Sequence, residues 1–204
     1  MVTRLRDGLV ARGLDAGAGL LVVLDGSRAL AAGIRRVFGQ GTRVHRCQEH
    51  KMRNVIDHLP KQRQGYVERK MRAADALDDA ARAEHDLTPL AEALDGPHPG
   101  AAASLREGLA ETLTVSRLQL SPTLRRTLRS TNPIEPMIGT CRTTARNVQR
   151  YRTGKMTLRW IAAGMSEAER GFRRVKGYRD IPLLAAALSR HYEQVSIDKN
   201  PKAA

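Results

Sequence analysis

Leu20-Leu21-Val22-Val23-Leu24-Asp25-Gly26 is a short, wholly apolar run that ends in a carboxylate and a glycine. A run of this length, rich in Val and Leu and bounded by Gly19 and Gly26, predicts a strand buried on both faces. An aspartate at the carboxyl end of such a strand stands where open α/β sheets place their ligand sites. Taken alone, Asp25-Gly26 reads better as a turn that stops the strand. The downstream sequence reverses that preference.

On the amino-terminal side, Thr3 to Leu14 predicts an amphipathic helix with Leu5, Leu9, Val10 and Leu14 on one face and Gly13 near its end. After the strand, Ser27 is placed to cap a second helix with Leu30, Ile34, Val37 and Phe38 inward and Gly39 as its stop. Arg43 to Cys47 predicts a short second strand. Gln48 to Leu59 predicts a helix with Met52, Val55, Ile56 and Leu59 inward, closed by Pro60. Helix–strand–helix–strand–helix indicates an α/β fold with a parallel or mixed sheet. Two strands are too few for an independent sheet.

From about Lys61 to Leu120 no strand pattern appears. Two or three helices are expected there, broken at Thr88-Pro89 and at Gly96-Pro97-His98-Pro99-Gly100. Ser121-Pro122 marks the return. Further helices are expected from Asn132 to Val148, from Lys155 to Phe172 with Trp160, and from Asp180 to about Tyr192, followed by a polar tail. The expected division is 1–60 as the first part of a core, 61–120 as an all-helical insertion, 121–195 as the completion of the core, and 196–204 as the tail.

The chain of 204 residues carries 35 basic and 21 acidic side chains, a net charge of +14, and a pI near 10.8. That excess implies a polyanionic partner, and nucleic acid is the first candidate. It is unevenly spread: Arg125 to Arg179 holds 14 Lys/Arg against 3 Glu, whereas Arg72 to Glu111 holds 3 Arg against 9 Asp/Glu. Hydrophobic residues at 41% allow a real core, and aromatics at 3% leave Leu, Val, Ile and Ala to fill it. No apolar run approaches the ~20 residues that cross a bilayer. The charged opening from Met1 to Asp7 does not read as a signal peptide. Cys47 and Cys141 make no disulfide framework, so a reducing cytoplasmic location is expected, with no membrane partner.

A second carboxylate of interest is Glu135, in Ser130-Thr131-Asn132-Pro133-Ile134-Glu135. Asn132 as cap and Pro133 as first helical residue place Glu135 in a first turn, where the helix dipole stabilises it as a plain capping acid. Asp25 and Glu135 could instead share a divalent ion, since hard oxygen ligands suit Mg²⁺ or Mn²⁺. Sites with two ions that cleave and join phosphodiesters use three or more acidic ligands. Cys47 and His50, three apart on one helix face, could form half of a zinc site. No second pair stands at finger spacing, so a structural or substrate-facing role is favoured. Lys51 and Arg53 would then lie near any phosphate held at the strand ends.

Leu24-Asp25-Gly26, Val37-Phe38-Gly39, Arg46-Cys47-x-x-His50-Lys51-x-Arg53-Asn54-Val55, Leu59-Pro60, Ser130-Thr131-Asn132-x-Ile134-Glu135, Leu158-Arg159-Trp160 and Phe172 to Gly177 together resemble the mutator-type insertion-sequence transposases of bacteria. The resemblance covers almost the whole chain. It implies an Asp-Asp-Glu transposase with a ribonuclease-H-like core, here partial and mostly helical, and an all-helical insertion between the second Asp and the Glu. It implies Mg²⁺ or Mn²⁺ as cofactor, transposon ends and target DNA as partners, and a homo-oligomer. Carried over, Asp25 is the second catalytic and metal-binding aspartate and Glu135 the catalytic and metal-binding glutamate. Cys47 and His50 match the family's Cys-x-x-His signature.

The family's first catalytic aspartate lies on a strand upstream of the first helix here. Asp7 and Asp15 do not stand at its position, so the chain is expected to resemble a carboxyl-terminal portion and to be inactive alone. Lys51, Arg53, Arg142, Arg146, Arg150, Arg152, Lys155 and Arg159 are the candidates for phosphate contacts. Trp160 reads equally as a core residue or a stacking platform for a base. The alternative function is a non-catalytic DNA-binding product that modulates full-length enzyme. An unrelated nucleotide-binding module is disfavoured, because Gly17-Ala18-Gly19 precedes the strand rather than following it.

Overall fold

The computed structural model describes residues 2–199. Positions 200–204 of the expected tail lie outside the described residues. The fold is mostly helical around one parallel pair of strands. Helix α1 (Val2–Val10) leads through a single 3₁₀ turn (Ala16–Ala18) into β1 (Leu21–Leu24). Helix α2 (Arg28–Phe38) follows, and β2 (Arg43–Arg46) returns beside β1 in parallel, with Leu21 opposite Arg43 and Leu24 opposite Arg46. The β1–α2–β2 unit is parallel, one of the two forms expected. Ser27 caps α2 by accepting the Leu30 N–H at 3.2 Å, and Gly39 ends the helix at φ 89°.

The sheet is less enclosed than expected. Leu24 is the one buried residue of β1, and Leu21, Val22 and Val23 are half-buried. Val22 and Leu24 pack with Ala31, Ile34 and Phe38 of α2 and with Leu9 of α1. Leu21 packs on the other side with Val115, Leu120, Leu124 and Leu184. A sheet of two strands has no neighbours to close its flanks, which leaves Val23 on an open cleft. Helix α1 also differs: Leu5 and Val10 are exposed, and the helix stops at Val10 rather than reaching Leu14.

Helix α3 (Gln48–Ile56) leads into α4 (Lys61–Ala76), α5 (Ala80–Asp95) and α6 (Pro99–Arg106). These four share one core: Met52 and Val55, Val67 and Met71, Leu87 and Leu90, and Leu105 interdigitate. Pro89 lies inside α5 instead of ending it. It is exposed, so water can hydrate the carbonyl that its missing N–H leaves unpaired. The break comes earlier, where Asp79 caps α5 by accepting the Ala81 N–H at 2.8 Å.

Two single turns, α7 (Leu109–Thr112) and α8 (Thr114–Arg117), run back along β2, where Thr114 Oγ1 donates to Val44 O at 2.8 Å. Helix α9 (Pro122–Leu128) precedes α10 (Glu135–Thr144), α11 (Gly154–Glu169) and α12 (Ile181–Lys199). The last helix therefore extends through positions expected to be tail. Gly164 lets α10 and α11 meet closely: a Cβ there would lie 2.6 Å from Cys141 Cα. No helix among the described residues is long and apolar enough to cross a membrane.

Candidate active site

Asp25 follows the last residue of β1 and is exposed. Its Oδ1 accepts the Ser27 N–H at 3.2 Å, so the capping residue of α2 also steadies the carboxylate. Gly26 sits at φ 118°, and a Cβ there would lie 2.8 Å from Arg46 Nε. The turn at Asp25-Gly26 is therefore real, and it presents Asp25 to solvent rather than merely ending the strand.

Glu135 arrives from 110 positions further along the chain. The sheet ladder continues beyond β2, where Cys47 N donates to Leu24 O at 2.7 Å. Gln48 N donates to Arg129 O at 3.0 Å, and His45 Nε2 lies 3.1 Å from the same oxygen. Thr131 N then donates to Cys47 Sγ at 3.4 Å. These bonds fasten the segment before α10 to the start of α3. Asn132 is not the cap; Ile134 occupies that position without a side-chain bond, and Glu135 is the first helical residue. The half-buried Glu135 carboxylate accepts the Thr131 hydroxyl at 3.0 Å.

Asp25 and Glu135 consequently line one cleft of about 590 Å³. Val23, Leu30, Ile134 and Ile138 form its apolar walls, and His50, Thr131 and Arg142 contribute polar groups. Two hard carboxylates facing one solvent-accessible cleft suit a single Mg²⁺ or Mn²⁺, which binds through one or two carboxylates together with substrate phosphates. Among the described residues no group of three His, Cys, Asp or Glu converges at ligating range. Cys47 and His50 are occupied with each other, Sγ lying 3.2 Å from Nδ1.

Lys51 does not reach this cleft. It is 1% exposed, and its ammonium donates to the carbonyls of Ser104 and Glu107. Burial, helped by the neighbouring Arg46 charge, pushes its pKa down to about 8 against the opposing pull of Glu107 and Glu111. Arg46 is also buried and pairs with Glu107 at 3.0 Å; Arg28 meets the same carboxylate at 2.6 Å. The Arg46 hydrogen bond holds the Glu107 carboxyl below its usual range. Glu107 is thus engaged by the cations of β2 and α2. No motif marked Glu107, and the motif that opens with Arg46 gave its side chain no partner. Thr131 stood within a quoted motif, but nothing in the sequence assigned its hydroxyl a partner.

The other basic candidates remain at the surface. Arg53, Arg146, Lys155 and Arg159 are exposed, and Arg142 stands on the cleft. Arg150 and Arg152 line a separate groove of about 870 Å³ with Tyr151, Met156 and Trp160. Trp160 is half-buried, with part of its surface in that groove.

Residues 3–174 match the sequence model of a family described as Transposase, Mutator family. Neither a curated protein nor a solved structure matches the chain significantly.

Proposed function

The chain belongs to the Mutator family of transposases, and from that premise we propose that its cleft is the phosphoryl-transfer site of a DNA transposase. The observation that carries the reading is the shared cleft of Asp25 and Glu135. In this reading the two carboxylates would hold a Mg²⁺ or Mn²⁺ ion, which would act as a Lewis acid on the phosphoryl group. Arg142, on the same cleft, takes a non-bridging phosphate oxygen and orients the strand. Ile134 and Ile138 line the cleft as an apolar wall beside Glu135. The parallel β1–α2–β2 unit with an acid at the strand end supports the reading of a partial ribonuclease-H-like core.

DNA continues over the basic surface of Arg146, Arg150 and Arg152, and the exposed cations of α11 extend the track. Lys51 takes no part. Sites that use two ions need at least three acidic ligands; this cleft brings two. We therefore expect no turnover from these 204 residues alone, and a homo-oligomer in the working enzyme.

The test measures affinity for duplex DNA in Mn²⁺ and in EDTA. The expected result is tighter binding in Mn²⁺, with that increment lost in Asp25→Asn and Glu135→Gln while salt-sensitive binding survives. An equal affinity in Mn²⁺ and EDTA would contradict the metal site. Strand transfer by the chain alone would contradict its expected inactivity.

A further inference from the structure

We propose that Cys47, His50 and Thr131 form the device that positions Glu135 against Asp25, with Thr131 as the positioning residue. The inference rests on the reading of the cleft given above. Helix α10 packs on α11 near Cys141, and Thr131 O accepts the Ile134 and Glu135 N–H groups that open its first turn, but neither contact fixes the Glu135 side chain. The helix buries no residue, its Ile134 cap makes no side-chain bond, and Ile134 itself is exposed. Among the described residues, the hydrogen bond to the Glu135 carboxylate comes from Thr131 Oγ1 at 3.0 Å.

Thr131 is itself held on three sides. Its N–H donates to Cys47 Sγ at 3.4 Å, and its Oγ1 lies 3.4 Å from His50 Nδ1 and 3.5 Å from Cys47 Sγ. The hydroxyl has one proton, and the carboxylate is the strongest acceptor within reach, so the proton goes to Glu135. The hydroxyl oxygen is then left to accept from His50 Nδ1 in the tautomer that carries its proton there.

Cys47 is the fixed post of this cluster. It is 0% exposed, and its backbone N–H closes on Leu24 O at 2.7 Å, one residue before Asp25. One residue thus references both acids: Asp25 through the strand ladder, and Glu135 through Thr131. Cys-x-x-His spacing supplies a buried sulfur at the start of α3 and an imidazole one turn along the same face. Metal ligation by the pair is not required. Partners of ligating carboxylates typically change metal affinity by 10- to 100-fold when lost.

The test compares Thr131→Val, which keeps the shape and removes the hydroxyl, with Thr131→Ser, which restores it. Two readouts are used on the full chain: Mn²⁺ affinity by electron paramagnetic resonance, and amide hydrogen exchange of Glu135, Met137 and Ile138 without metal. Thr131→Val is expected to melt within about 4 °C of the parent. It should bind Mn²⁺ about tenfold more weakly and exchange faster across the first turn of α10; Thr131→Ser should recover both. Parental exchange rates in Thr131→Val overturn the positioning role. If Glu135→Gln leaves Mn²⁺ binding unchanged, the metal reading fails, and hydrogen exchange still decides the role of Thr131.

Discussion

Asp25, leaving β1, and Glu135, opening α10, face one cleft although 110 positions separate them along the chain. The approach is not a matter of the acids attracting anything. It follows from backbone and thiol bonds that tie Thr131 and Arg129 to the start of α3. The site is built by the scaffold, and its chemistry should be separable from its stability.

Lys51 and Arg53 provide that separation. Lys51→Ala removes the donor to the Ser104 and Glu107 carbonyls and empties a buried volume. It should cost about 3 kcal/mol or more in chemical denaturation. Arg53→Ala, at an exposed position, should leave stability within about 0.5 kcal/mol and weaken DNA binding. If Lys51→Ala leaves stability intact but weakens DNA, Lys51 is a phosphate contact after all.

Several of these features were legible before the fold. The apolar run to Asp25, the Ser27 cap and Gly39 stop, the parallel return of β2 and the helical stretch after Pro60 all follow from local pattern. Even the inward turn of Lys51 had a signal: it precedes Val55 by four positions, on the stripe of a helix whose Val55 is buried. The Arg46–Glu107 pair had none, because no periodicity links residues of β2 to a loop after α6. Pro89 misled because a proline on a solvated helix face costs less than one in a core. The cap at Asn132 misled because the Thr131 hydroxyl and thiol contacts displaced it.

A titration should expose a compensated pair. His45 is buried, accepts the Val115 N–H at Nδ1, and is pushed by burial from about 6.5 down to about 4. Its neutral form is the folded one, so it contributes stability above pH 6.5 that is lost as pH falls toward 4. The full effect is about 3 kcal/mol. Asp75 works oppositely. Burial, with Glu49 adding and Arg129 and Arg72 opposing, raises it to about 7, so its contribution is present at low pH and is lost as pH climbs from about 4 to 7. Asp75→Asn should therefore show a steeper rise of stability with pH between 4 and 6.5 than the parent. Equal slopes would remove Asp75 from the balance.

The groove of Arg150, Arg152 and Trp160 should discriminate strands. Replacing both arginines with Ala should reduce the slope of log affinity against log salt on duplex DNA by about 2. Trp160→Leu should weaken a single-stranded oligonucleotide about tenfold and leave duplex affinity nearly unchanged. Equal losses on both substrates would make Trp160 a packing residue.

Close approach of α10 and α11 depends on Gly164. Gly164→Ala places a Cβ against Cys141 backbone and should destabilise by about 1–3 kcal/mol, read as a lower denaturation midpoint. An unchanged midpoint would mean that the two helices separate freely.

The most direct test of the central claim is a double-mutant cycle in Mn²⁺ affinity over the parent chain, Asp25→Asn, Glu135→Gln and the double variant. If both carboxylates grip one ion, each single change weakens the same site and the double change costs clearly less than their sum. Independent, additive losses, or a single variant that binds as the parent does, would contradict a shared ion.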